Sequence, residues 1–229
     1  MKRIALFSTT LIFFFNHALQ AQALELGVSL GVSMAKISWS KNSYYSRGAY
    51  TAEPSLNVGL EMSYITRSGF GARAGLLYFA RAVTSDSVNT YTSQSSEYRS
   101  IVEANASTLF IPLQACYRAP FGKFYAQLSA GVMPGFLLNA DVNETIVRKS
   151  NFPVLYESAV VDYSLKFELG IVGEARLAYQ VTPKIGIGIN VLYLRSEIDI
   201  KIDPDFSIRE LSDQYTQGLA YSLSAHFKL

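Results

Sequence analysis

Carboxylates, guanidinium groups and amides recur in this 229-residue chain at spacings that could do chemistry. Glu174 and Arg176 stand two residues apart, and Glu61 and Arg73 flank the short segment Thr66-Arg67-Ser68-Gly69. Gln114, Gln127 and His226 fall at comparable places in runs of the same alternating character. Together the seven are expected to form one hydrogen-bonded plug. Two chemistries fit it: a gate or proton path, or a polar core in which buried charges must be paired to be tolerated. The second is favoured, because little room remains among these side chains for anything else. His226 is a weak candidate for a catalytic base, since the only other histidine, His17, lies in the expected leader segment, and a lone histidine builds neither a metal site nor an obvious triad. Cys116, the single cysteine, has no internal disulfide partner and reads as a small interior filler. No metal, cofactor or catalytic residue is expected, and the chain reads as non-enzymatic.

The elements that position these groups are strands. In Ser164–Leu194, the odd positions Leu165, Phe167, Leu169, Ile171, Gly173, Ala175, Leu177 and Tyr179 alternate with Lys166, Glu168, Gly170, Val172, Glu174, Arg176 and Ala178. After Val181-Thr182-Pro183-Lys184 the alternation resumes, with Ile185, Ile187, Ile189, Val191 and Tyr193 on one face. Period two on both sides of a short turn specifies an antiparallel hairpin. The opposite face is mostly glycine and small residues with a few charges that could pair. A soluble barrel would carry long polar side chains there, so this is the crowded interior and the apolar face meets lipid.

The same logic repeats along the chain. Strands are expected at Leu24–Ala35, Ser55–Tyr64, Phe70–Arg81, Thr108–Arg118, Phe124–Phe136, the two just described, and Leu219–Leu229. The polar stretches Ser40–Glu53, Thr84–Tyr98, Asn139–Val161 and Glu197–Gln214 are expected to be long loops, the third with room for strand extensions above the membrane. Long connections follow the odd strands and short turns the even ones. That asymmetry, with strands of about ten residues, is the signature of a membrane barrel with short periplasmic turns and long extracellular loops. The fold expected is an all-β, eight-stranded antiparallel up-and-down transmembrane β-barrel.

Aromatic residues sort by strand end. Outward Tyr64, Phe70, Tyr117, Phe124, Tyr179 and Phe227 lie beside short turns or the C-terminus, and Tyr78, Phe136, Phe167 and Tyr193 lie toward the long connections. Two girdles, one per interface, follow from membrane chemistry and not from a soluble sandwich.

Bulk composition, 49% hydrophobic and 17% charged, would pass for a soluble protein, so the patterning decides. No apolar run after the N-terminus is long enough for a spanning helix. Lys2-Arg3, the apolar run Ile4–Phe15 and Ala21-Gln22-Ala23 read as the basic, hydrophobic and cleavage regions of a signal peptide, residues 1–23, leaving 24–229 as the barrel domain. No cysteine stands at the cleavage site, which argues against a lipoprotein anchor. Removing Lys2 and Arg3 takes 20 basic residues to 18, equal to the 18 acidic ones, so there is no case for nucleic acid.

The runs Leu109-Phe110-Ile111-Pro112-Leu113, Phe124-Tyr125-Ala126-Gln127-Leu128-Ser129-Ala130-Gly131 and Phe167–Glu174 (FELGIVGE) resemble the small outer-membrane β-barrel family of Bacteroidetes-type bacteria, the PorT-like group, across essentially the whole mature chain. The chain departs from the usual terminal aromatic in ending Phe227-Lys228-Leu229; Phe227 is expected to serve the insertion machinery in its place. The resemblance implies an integral protein of the bacterial outer membrane, with outer-membrane lipids and barrel insertion machinery as partners. It further implies envelope or secretion partner proteins and a link to secretion through the outer membrane. A small passive channel and a lipid-modifying enzyme are the alternatives. Asp86-Ser87-Val88 resembles the O-glycosylation signal of such bacteria, and the tyrosines of the first loop, Tyr44, Tyr45 and Tyr50, could supply binding area.

Overall fold

A computed structural model describes residues 21–38, 49–91, 96–148, 155–157, 167–198 and 214–229. They form ten strand segments: β1 (Ala21–Ser38), β2 (Ala49–Thr66), β3 (Phe70–Tyr91), β4 (Ser96–Phe110), β5 (Leu113–Phe121), β6 (Phe124–Arg148), β7 (Leu155–Glu157), β8 (Phe167–Gln180), β9 (Ile185–Ile198) and β10 (Gln214–Lys228). β4 and β5 are two halves of one spanning strand, and β7 pairs only with β6, so eight strands cross the membrane. β1 pairs antiparallel with both β2 and β10, which closes the barrel.

The stagger of the barrel can be read from the pairing. From Leu26 the paired residues run through Met62, Ala74, Leu113, Val132, Ile171, Arg195 and Gln217 back to β1 at Lys36, ten residues further on (26 to 36). Eight strands with this stagger tilt by roughly 35–45° and leave an interior just wide enough for side chains.

The polarity of the wall is inverted relative to a soluble protein. Outward Leu223, Leu128 and Leu30 are 69%, 65% and 59% exposed, whereas inward Arg81 and Glu168 are each 1% exposed. An apolar layer of Leu77, Phe79, Phe110, Met133, Val172 and Leu194 fills the lumen between two polar zones. The girdle aromatics face outward beside the turns, where Phe70 packs on Tyr117 and Phe124 on Tyr179, both with ring centroids 4.9 Å apart. Toward the opposite rim Phe136 meets Phe167 edge-on at 6.0 Å. The tight turns carry the two positive-φ glycines: Gly69 (φ 86°) after β2, and Gly122 (φ 69°) at the first central position of the two-residue β5–β6 turn. Positive φ there matches the right-handed twist of the flanking strands.

Three expectations need correction. Ser40–Glu53 is not a loop throughout: β2 begins at Ala49 and pairs with β3 from Ala49↔Asp86 to Glu53↔Ala82. Thr84–Tyr98 is not a loop throughout: β3 continues to Tyr91 and β4 begins at Ser96, with ladder partners from Thr84↔Glu103 to Tyr91↔Ser96. Beyond the bilayer both faces of a strand meet water, so the apolar alternation disappears while the backbone ladder persists. The strand expected over Thr108–Arg118 is interrupted at Ile111-Pro112. Pro112 has no N–H to give β3, so the ladder is carried by its carbonyl, which accepts from Gly75 N at 3.2 Å, and by Ile111 N donating to Pro134 O at 2.7 Å. Residues 1–20 of the expected signal peptide, Tyr44 and Tyr45, and most of the fourth connection lie outside the described residues.

Candidate functional site

Inward-facing charges on separate strands meet in the lumen because the ladder register sets them at matching depth. Three clusters result. The central one joins β2, β3, β8, β9 and β10. Arg176 contacts both oxygens of Glu61, Nη1 to Oε1 at 2.6 Å and Nη2 to Oε2 at 2.8 Å, and also lies 3.1 Å from Glu174 Oε1. Arg73 reaches across the lumen to Glu174, with Nη1 2.7 Å from Oε1 and Nη2 against Oε2, while its Nε lies 3.1 Å from Glu61. Two carboxylates thus offset two guanidinium groups. Arg176 Nε donates to Asn190 Oδ1 at 2.8 Å, and Asn190 donates to Ser222 at 3.1 Å.

Nearer the short turns, Arg118 grips Glu25 with two parallel bonds of 2.7 Å, donates to Gln127 Oε1 at 2.9 and 3.1 Å, and lies 4.1 Å over the Tyr125 ring. Beyond the apolar layer, Arg81 holds Glu168 at 2.8 and 3.1 Å and Thr216 at 2.9 Å. Thr108 and Ser196 complete that shell: Thr108 donates to Glu168 at 3.0 Å and contacts Arg81, and Ser196 donates to Glu168. Bidentate guanidinium–carboxylate geometry with further hydrogen bonds is what makes buried charge tolerable.

The single seven-residue plug expected from sequence is therefore divided. Glu61, Arg73, Glu174, Arg176 and His226 come together. Gln127 belongs instead to the Arg118–Glu25 cluster and reaches Ser129 at 3.4 Å. Gln114, although buried, has no hydrogen-bond partner for either side-chain heteroatom among the described residues. Gln114 on β5 is the ladder partner of Arg73 on β3, but the Arg73 guanidinium is directed across the lumen to Glu174 and Glu61 and makes no bond to the amide. The Arg81–Glu168 and Arg118–Glu25 pairs were missed. Their signal was available, since all four residues occupy inward positions of alternating runs, but nothing in sequence says which charge faces which.

One arrangement has the connectivity of a nucleophile relay. Glu61 Oε1 lies 3.3 Å from His226 Nδ1, and His226 Nε2 lies 2.9 Å from Ser224 Oγ. Acylation needs space for a carbonyl beside the hydroxyl. Ser224 is 6% exposed, and its hydroxyl lies 3.2 Å from Asn190 Oδ1 and 3.3 Å from Gly188 O, either of which accepts its one proton. The lumen cavity bordered by Asn57, Glu61, Arg73, Glu174, Asn190 and Ser222, which Ser224 does not line, has a volume of about 30 Å³, room for one or two waters. Among the described residues no group of three His, Cys, Asp or Glu side chains could hold a metal. Cys116 is buried and free.

Several solved outer-membrane proteins align with the chain at low identity. Neisserial surface protein A is 10% identical with a TM-score of 0.44, covering 91% of this chain and 99% of that one. OprG from Pseudomonas aeruginosa is 13% identical with a TM-score of 0.48, covering 90% and 96%. Ail of Yersinia pestis is 11% identical with a TM-score of 0.37, covering 90% and 100%. No curated protein matches the sequence. The outer membrane protein beta-barrel domain matches residues 20–197, most of the chain and seven of its eight spanning strands. With the closed eight-stranded wall, its lipid-facing apolar surface and its charged lumen, the chain belongs to the family of the outer membrane protein beta-barrel domain and resides in the bacterial outer membrane.

Proposed function

We propose that this barrel is a non-conducting, non-enzymatic scaffold of the outer membrane that presents its extracellular connections to partners in the cell envelope. The observation that carries this reading is the filled lumen. Three paired charge clusters and one apolar layer occupy its length, and an eight-stranded barrel has no space left for an aqueous path. Planar-bilayer recording of the purified protein tests it. Silent membranes are expected, and reproducible single-channel steps would replace the scaffold with a small passive channel.

A role in protein secretion is the sharper form of this proposal. It rests on the resemblance of Leu109–Leu113, Phe124–Gly131 and Phe167–Glu174 to the PorT-like group. A deletion strain should then retain secreted cargo in the periplasm. Normal export from that strain would leave the scaffold reading standing and remove the secretion role.

A further inference from the structure

The short-turn rim is chemically one-sided. Among the described residues there, Arg67, Lys123 and Lys184 are exposed cations, and the single carboxylate side chain, Glu25, is buried in the grip of Arg118. Lys123 and Lys184 are neighbours across one strand. Gln180 N at the base of β8 donates to Lys123 O at 2.7 Å, and Lys184 closes the same β8–β9 turn. Two strand spacings put these lysines roughly 10 Å apart, within the reach of two flexible side chains to one headgroup. Between them the Phe124–Tyr179 pair stands at the depth where aromatic rings meet the glycerol region.

Directly above this pair the lipid-facing wall is concave. A groove of about 820 Å³ runs from Phe124 and Tyr179 past Ile187 and Ala225 to Leu223 and Leu30, with the small Gly188 and Ala225 among the residues that line it. An apolar trough whose rim end, at Phe124 and Tyr179, lies beside two cations with no ion-pair partner among the described residues fits an amphiphile with a hydrocarbon chain and an anionic head.

We propose that the β6–β8–β9 sector of the periplasmic rim binds an anionic phospholipid of the inner leaflet, its phosphate held by Lys123 and Lys184 and one acyl chain lying in the groove. A basic side chain near a membrane surface favours anionic lipid by an amount that corresponds to about fivefold in occupancy. The full-length protein in mild detergent, offered equal phosphatidylglycerol and phosphatidylethanolamine, should show at least about fivefold more bound phosphatidylglycerol by native mass spectrometry. The K123Q/K184Q variant should lose that preference. Arg67→Gln, on the β2–β3 turn away from the groove, should keep it, and Ala225→Phe should reduce total bound lipid without changing the preference. Equal retention of the two lipids, an unchanged preference in K123Q/K184Q, an equal loss in Arg67→Gln, or a protein dimer in place of bound lipid would each overturn the site. Should the double variant fail to assemble, salt decides on the wild type: the preference must fall as ionic strength rises, and a salt-independent ratio overturns the proposal.

Discussion

Arg73 on β3 and Glu174 on β8 meet across the lumen with Nη1 2.7 Å from Oε1, although 101 residues separate them in the chain. They are strands apart in the sheet, so this bond spans the barrel instead of following its wall. It ties opposite sides together at the depth where Arg176 and Glu61 also pair, and the wall cannot breathe there without exposing a charge.

Glu61 is the member with the most to lose. Its Oε2 accepts from Arg176 at 2.8 Å, its Oε1 lies in ion-pair contact with the same guanidinium at 2.6 Å, and it lies 3.1 Å from Arg73 and also contacts His226. Glu61→Ala leaves two buried guanidinium groups sharing one carboxylate, and removing one partner of a buried pair costs about 3–5 kcal/mol. The folded, fast-migrating form on unboiled gels should be lost at lower temperature or lower urea than in wild type. An unchanged midpoint would mean that water already solvates the cluster.

The Arg81–Glu168 pair separates two effects. Arg81→Met alone leaves Glu168 buried without its cation and should destabilise by about 3–5 kcal/mol, whereas Arg81→Met with Glu168→Leu should lie within a few kcal/mol of wild type or above it. Urea unfolding of both single variants and the double variant gives the coupling. A double variant as weak as the worse single one would show that Thr108, Ser196 and Thr216 depend on the charges for their own satisfaction.

Glycine at position 27 makes room for the central cluster. A Cβ there would stand 2.7 Å from Glu61 Cγ and 2.8 Å from His226 Nδ1, while a Cβ at Gly173 would meet nothing within 4 Å. Gly27→Val should therefore lower stability by displacing both side chains, and Gly173→Ala should be tolerated. Heat-modifiable migration compared between the two checks the contrast.

On the outer wall, Leu223 is 69% exposed and faces hydrocarbon in β10. Leu223→Arg should cost about 2–4 kcal/mol if it lies near the bilayer midplane, whereas the same change at a water-facing position would be nearly silent. Unfolding titrations in lipid vesicles measure the difference.

The Glu61–His226–Ser224 relay predicts an absence of reactivity. A fluorophosphonate probe should leave Ser224 unlabelled in the folded protein, because its hydroxyl is buried and already hydrogen-bonded. Labelling of wild type that disappears in Ser224→Ala would make the lumen an active site and overturn the scaffold reading.

Much of the architecture was legible in the residue order because it follows from local rules. Leu165–Tyr179 and Ile185–Tyr193 alternate with period two, and the small-residue face opposite them identifies lipid outside and side chains inside. Short turns at Thr66–Gly69 and Val181–Lys184 and the sorted aromatics fixed the direction of the strands in the bilayer. Thr84–Tyr91 escaped this logic, because a strand above the membrane has water on both sides and no alternation to betray it. The ten-residue stagger could not be read either, since it belongs to the closure of β1 on β10. That stagger decides which inward charge meets which, placing Arg73 against Glu174 and Arg81 against Glu168, and assigning Gln127 to Arg118 while Gln114 stands without a partner. That the chain is a membrane barrel with charges inside is written in the order of its residues, because facing is a property of neighbouring residues. How those charges are partnered emerges only when the wall closes, because depth and azimuth in a barrel are properties of the whole wall.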